Sequence, residues 1–475
     1  MTMAMKLTTY EQEMLDGVHG EAKKIAMEGL MAFGEAVDAE EMVKVSFVHY
    51  IGCQKGLSKD SPEYQQFEWG QGLILEKFWD LGANITTDPN LEACVDPFIV
   101  QMDAYEKEGM PWNNKYFKMS KTVYEAAKEG YNQLQATGWL PTYSCTPHFN
   151  SAFPIHGEYA ACCESSAACY LNSILGVKTN RESAVAAPYA AITGCIPKYG
   201  MLLDENRRAS VIYELDDDIK NNLLDDPADW AALGGAIAKR ANNRIPAILN
   251  MPPRMRSSAA KALLACASPG MNDPLLHLIG ITPGSATLED AFGGEVPAGV
   301  ERIHLSLADV KAMYAELRTA KTDKVDIVHF GCPLLIYEEV HQIAQALKGK
   351  KVNKDVMLWV QTDTPSYYMA QHYGDAQIIE EAGGKIYHQT CWGMNALSVD
   401  WGSDFTVATN SFKQFKIFGG LGHKVIFGSL DELINAAVTG VYDSTRWDEP
   451  LENLAQSYNP SIEDIEEFKG TVDVF

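Results

Sequence analysis

No stretch of this chain approaches the roughly eighteen uninterrupted apolar residues of a helical membrane span. The start, MTMAMKLTTYEQEML, lacks the apolar core of a signal peptide, so a cytoplasmic protein is expected. Basic residues are scarce: 39 Lys and Arg face 63 Asp and Glu, a formal charge of −24. That balance excludes a nucleic acid or an anionic membrane as partner, because both need a basic surface. It still permits a small anionic substrate held by a local group of cations. There is no C-x-x-C pair. GGLGHK at Gly419 and GGEVPAG at Gly293 fit neither a phosphate loop nor a dinucleotide fingerprint. His148, His156 and His277 lack the spacing of a zinc site. No internal repeat or low-complexity tract is present. The ten cysteines are too dispersed for a disulfide framework, so they are expected as thiols, a minority of them serving a metal or a reaction.

With 475 residues, 46% of them hydrophobic, the chain can bury a large core and hold two to four domains. The spacing of Leu15, Val18, Ala22, Ile25 and Leu30 predicts helix from about Thr9 to Ala36. VKVSFVHYIG from Val43 reads as a strand, and ANITTDPN, from Ala83, as a strand and turn. GEYAACCESSAACYLNSILG from Gly157 reads as a helix of small residues. The C-terminal third alternates clearly. VDIVHF from Val325, VMLWVQT from Val356, KIYHQ from Lys385, FTVAT and KVIFG are strands, with helices from about Ile336 to Leu347 and up to about Ala382 between them. Such alternation predicts a doubly wound parallel sheet, whose ligands collect at the carboxyl ends of the strands. Cys332, Cys391 and Thr409-Asn410-Ser411 all fall at such ends. Gly293 to Gly299 is the best candidate boundary, dividing the chain into regions 1–295 and 296–475.

The segment Pro141 to Arg208 is dense in chemistry: one isolated cysteine, hydroxyls, amides, carboxylates and cations among small apolar residues. Cys145, Cys332 and Cys391 could be thiolate ligands of an iron–sulfur cluster, and three ligands would leave iron an open position. Each could equally be a small buried hydrophobe. Glu164, Ser165 and Ser166 inside an apolar segment must be paired or solvated; a site and a helix–helix contact both satisfy that. Arg181 could grip a carboxylate in bidentate fashion, with Lys198, Arg207 and Lys413 as further cations, although a surface role suits any single one of them. His388 close to Cys391 offers a weaker alternative, a thiol nucleophile.

Taken in order, these pieces resemble the catalytic subunit of the aconitase X family. The matching elements are ITTDPN, TYSCTP around Cys145, ESSA at Glu164, NS-x-LG-x-x-TNRE from Asn172, P-x-YG-x-x-LDENR ending at Arg207, GITP at Gly280, GCP at Gly331, Thr-Cys at Cys391 and TNS-x-K from Thr409. The resemblance implies an aconitase-like, multi-domain α/β fold with doubly wound parallel sheets around a central cleft. It implies an iron–sulfur-dependent hydro-lyase that dehydrates a small hydroxy acid such as cis-3-hydroxy-L-proline or mevalonate 5-phosphate. The cluster would be held by Cys145, Cys332 and Cys391, its type (2Fe-2S, 3Fe-4S or 4Fe-4S) left open. Ser166, Arg181 and Lys413 would be catalytic. Thr86, Thr87, Glu164, Ser165, Asn172, Ser173, Asn180, Arg207, Thr282, Asn410 and Ser411 would bind substrate. No segment is left over for the family's swivelling domain, so a small partner subunit is implied. The chain departs from the family pattern at Leu334, usually His, at Gly284, usually Glu, and at Cys163, usually an apolar aromatic. The departures at Leu334 and Gly284 keep a second reading open, a non-catalytic binding or assembly subunit on the same scaffold.

Overall fold

The computed structural model describes residues 5–50, 92–95, 107, 112–113, 118–119, 125, 128, 139–140, 142–150, 154–183, 186–221, 226–252, 255–391, 405–420 and 422–447. Three parallel sheets organise them. The first runs Glu92–Val95, Phe47–Tyr50, Tyr159–Cys162, Lys178–Arg181 in spatial order. The second runs His277–Leu278, Pro246–Leu249, Val211–Leu215, Arg302–Leu305. The third has five strands in the order Lys385–Tyr387, Met357–Thr362, Ile327–Leu335, Thr406–Thr409, Lys424–Phe427. An aconitase-like α/β architecture with doubly wound parallel sheets is what the alternation and the motifs led us to expect.

Several local expectations are corrected. The helix expected over Thr9–Ala36 is two helices, Thr9–Leu15 and Glu21–Ala36. Gly17 and Gly20 between them hold φ of 81° and 96°, a left-handed backbone that ends the first helix. VKVSFVHYIG divides into Met42–Lys44, antiparallel to Cys195–Pro197, and Phe47–Tyr50. GEYAAC is not helical. Tyr159–Cys162 is a buried strand between two parallel neighbours, and the helix starts only at Ser165. Small residues suit both states, and the Glu164 cap decides where the helix begins: its Oε2 accepts the Ala167 N–H at 2.7 Å. In the third sheet the helix expected up to Ala382 is two, Thr364–Tyr373 and Asp375–Ala382, divided at Gly374.

The boundary expected at 295/296 cuts the second sheet, because Arg302–Leu305 pairs with Ile212–Leu215. The second and third sheets also share one core, in which Tyr213, Leu233 and Leu263 pack with Trp359, Tyr387 and Val407. The first sheet has its own core, built on Met27, Leu30, Val48, Tyr50 and Ala161. Among the described residues no helix is long and apolar enough to cross a membrane.

Candidate active site

The strand order of the third sheet places a topological switch point between Ile327–Leu335 and Thr406–Thr409. Chains leave these adjacent strands in opposite directions, which opens a crevice at their carboxyl ends. Cys332 lies there. The ladder to Met357–Thr362 is regular up to Phe330 and resumes only at Leu335, so Gly331–Leu334 loops out of register. Gly331 makes the bulge possible: its φ is 123°, and any Cβ would collide with Gln361. Gln361 also holds the bulge by donating to the Gly331 carbonyl at 2.7 Å. Across the switch point the Ser411 hydroxyl donates to the Cys332 carbonyl and accepts the Gln414 N–H at 3.0 Å.

Lys413, in the first turn of the helix Phe412–Gly420, reaches from the third sheet to the first. Its ammonium pairs with Glu164 and lies 3.3 Å from the Ser166 hydroxyl. Burial works against its charge. The carboxylate of Glu164, then the sulfurs of Cys332 and Cys145, outweigh burial and hold the Lys413 pKa above its ordinary value. Burial likewise pushes the Glu164 carboxyl up, but Lys413 outweighs it and keeps the group ionised. Two sequence-distant thiols and a buried ion pair therefore share one locality.

Cys145 is positioned from the first sheet. His49 on the Phe47–Tyr50 strand contacts the Ser144 carbonyl at 3.0 Å, and the Ser144 hydroxyl accepts the Thr146 N–H at 3.0 Å. The Leu334 N–H donates to Cys145 Sγ at 3.2 Å, while Lys261 donates to the Leu334 carbonyl at 2.8 Å. At position 334 it is the main chain that meets the thiol, and the Leu side chain is buried. Gly284 has a φ of 79°, a conformation that L side chains rarely adopt. Cys391 follows the Lys385–Tyr387 strand at the same carboxyl edge, after a Thr390 whose hydroxyl donates to the His388 carbonyl at 2.8 Å. His388 Nδ1 lies 3.1 Å from the Thr364 hydroxyl and its ring stacks on Tyr367 at 4.5 Å.

The cysteines divide cleanly. Of eight described thiols, Cys145, Cys332 and Cys391 are partly exposed, whereas Cys162, Cys163, Cys169, Cys195 and Cys266 are buried. Among these eight described thiols, the three sulfur donors proposed for iron are the three that are partly exposed, which fits a thiolate-held cluster. Among the described residues no three His, Cys, Asp or Glu side chains are already gathered as a metal grip.

Many polar residues of the motifs are engaged by protein groups. Asn172 is fully buried; it donates to the Ala168 and Thr179 carbonyls at 2.9 and 2.8 Å and accepts from Arg207 at 2.6 Å. Arg207 also donates to the Met201 carbonyl at 3.0 Å, and burial lowers its pKa to about 10. Asn180 joins Glu182, the Tyr199 carbonyl and the Met201 N–H at 3.1, 3.2 and 2.7 Å. Ser173 accepts the Leu276 N–H at 3.0 Å, and Thr282 accepts the Leu278 N–H at 2.9 Å. Arg181 spends Nη2 on the Ser268 carbonyl and hydroxyl and the Met271 carbonyl, at 2.8, 3.1 and 3.2 Å, so this nitrogen ties the first-sheet strand to the segment Ser268–Met271. Lys198 pairs with Glu41 at 2.8 Å. Ser165 and Asn410 are half-buried beside Glu164 and Ser411 respectively. Thr86 and Thr87 lie outside the described residues.

His49 and the buried Lys261–Glu339 pair were not anticipated. Their signals were one polar residue in the apolar run VSFVHY and one cation in the apolar helix SSAAKALLACA. Glu182 carries a separate prediction. Burial, partly offset by Asn180 and Tyr199, raises its carboxyl to about 7 from 4.5. The native state then binds more protons than the unfolded one between those values, so stability falls as pH rises from 4.5 to about 7. Glu182→Gln should raise neutral-pH stability by about 1–3 kcal/mol and flatten that slope. Chemical denaturation across pH reads both; an unchanged slope contradicts the assignment.

Thiols and a buried ion pair brought together where the carboxyl edges of the first and third sheets meet, on parallel doubly wound sheets, are the arrangement of an α/β enzyme of the aconitase-like kind. The chain matches the aconitase X first domain over residues 4–205, the second over 209–315 and the third over 325–439. It is 31% identical over 433 residues to the phosphomevalonate dehydratase large subunit of Methanocaldococcus jannaschii, covering 90% of this chain and 99% of that one. It is 27% identical to the cis-3-hydroxy-L-proline dehydratase of Hypocrea jecorina, over 93% of this chain and 70% of that protein. The crystal structure of Thermococcus kodakaraensis aconitase X in its holo form superposes with a TM-score of 0.72 at 26% identity, covering 91% of this chain and all of that one. The chain belongs to the aconitase X family and is a hydro-lyase of that type.

Proposed function

We propose that the chain is an iron–sulfur-dependent dehydratase of a small hydroxy acid, of the class represented by mevalonate 5-phosphate and cis-3-hydroxy-L-proline, and that it works with a small swivelling-domain subunit. The observation that carries this reading is the meeting of Cys145 and Cys332 with the Lys413–Glu164–Ser166 group at the switch point. The names of relatives support the reaction class, the substrates and the subunit. Cys145, Cys332 and Cys391 would hold the cluster, which when bound supplies a Lewis acid for the leaving hydroxyl.

The chain's own residues would do the rest. Glu164 and Ser166 engage the Lys413 ammonium, and an ammonium has three donors. The remaining donor can bind the substrate carboxylate or phosphate in a site shielded from water, where a charge-assisted bond is strong. Fixing that anion orients the carbon whose proton must leave. Glu164 is pinned by both Lys413 and the Ala167 N–H, so its part is to hold Lys413 in place. Ser166 lines the same locus as a hydroxyl donor. The Cys391–His388 nucleophile reading has less support, because His388 Nδ1 is engaged with Thr364.

The test is anaerobic co-expression with the small subunit, then dehydration assays on both compounds. A brown, iron-containing complex that releases water from one of them is expected. A colourless complex with no iron and no turnover would leave the binding-subunit reading in its place.

A further inference from the structure

His148 sits in the short turn Pro147–Phe149, three residues past Cys145, and is only 3% exposed. Neither of its ring nitrogens has a hydrogen-bond partner among the described residues. The ring is held on two sides, stacked on Tyr170 at 4.4 Å and 21° and packed on Phe149 at 4.6 Å. Tyr170 ends the helix that Glu164 caps. His49 and Lys261 are both near enough for their charges to act on the ring. These are the residues that fix the Ser144 and Leu334 carbonyls on either side of Cys145. His148 therefore stands near Cys145, within a frame that already positions a predicted ligand.

An imidazole always carries at least one N–H donor, and the neutral ring carries an acceptor as well. Burying both unpaired is costly, and a phenyl ring would fill the same space without that cost. A buried polar group left unpaired in a native protein calls for an explanation, and a role in a site is one of the few available. We infer that His148 is a substrate-binding residue, its ring pairing with a hydroxyl or carboxylate oxygen of the hydroxy acid. This deepens the dehydratase reading and rests on it.

The test uses the iron-loaded complex with the co-expressed small subunit, assayed on mevalonate 5-phosphate and on cis-3-hydroxy-L-proline. His148→Phe should lower kcat/KM by about 10- to 100-fold while iron content holds and the thermal midpoint stays level or rises. His148→Gln, which keeps a donor and an acceptor, should recover most of that loss. Wild-type kcat/KM in His148→Phe would overturn the inference. A lower midpoint with loss of iron would also overturn it, by showing that the ring is structural. If the wild-type complex turns over neither compound, the dehydratase reading falls and this inference falls with it.

Discussion

Cys332→Ala should lose iron and turnover together. The residue occupies a bulge already outside the ladder, with a carbonyl tied to Ser411 and a partly exposed side chain, so little packing depends on its sulfur. Stability should change by less than about 1 kcal/mol, as for other half-exposed positions. Loss of a thiolate ligand should nevertheless empty the site. Turnover should drop at least about a thousandfold, equivalent to some 4 kcal/mol in the barrier. Cys195→Ala is the matched control: that thiol is buried in a strand and touches Met27 at 4.0 Å, so removing it should cost packing and keep iron. Elemental iron analysis and a turnover assay read both variants. Normal iron and normal activity in Cys332→Ala would rule out the ligand assignment.

Lys413→Met should be nearly as severe for activity and far worse for stability. Side chains of Lys413 and Glu164 are 20% and 4% exposed, so removing the ammonium strands a buried carboxylate. Breaking such a pair costs about 3–5 kcal/mol, whereas neutralising both members can cost almost nothing. Lys413→Met combined with Glu164→Gln should therefore regain most of the stability and none of the turnover. Retained activity in the double variant would remove Lys413 from the proposed anion site. The pH dependence follows the same pair. Glu164 is held below its ordinary 4.5, so its contribution is present above that value and is lost as pH falls further. Lys413 is held above its ordinary 10.5, so its contribution persists through neutral pH and fades only in strong alkali.

The third sheet was readable in the sequence because buried parallel strands are continuous apolar runs, and its strand ends pointed to Cys332, Cys391 and Ser411 in advance. Reading GEYAAC as helix failed because alanine and cysteine are small enough for a strand flanked by two neighbours, and the sequence names no neighbours. The polar motifs misled in a different way. Asn172, Asn180, Ser173, Thr282 and Arg207 are polar inside apolar surroundings, which a ligand would explain. Each is paired with a main-chain atom, some close in sequence and one, Leu276 for Ser173, 103 residues away. Residue type alone cannot say which partner an amide will find. His148 and Lys261 were opaque for the same reason: each is a lone group whose company comes from other parts of the chain.

Glu164 and Lys413 are separated by 249 positions. Closing so long a span is slow and entropically unfavourable, and it is rewarded only after both sheets have their own cores. Assembly of the Lys413–Glu164 locus is thus expected late in folding. On the proposed reading, iron offered to a half-finished chain would meet scattered thiols, and metal loading belongs after the first and third sheets have docked.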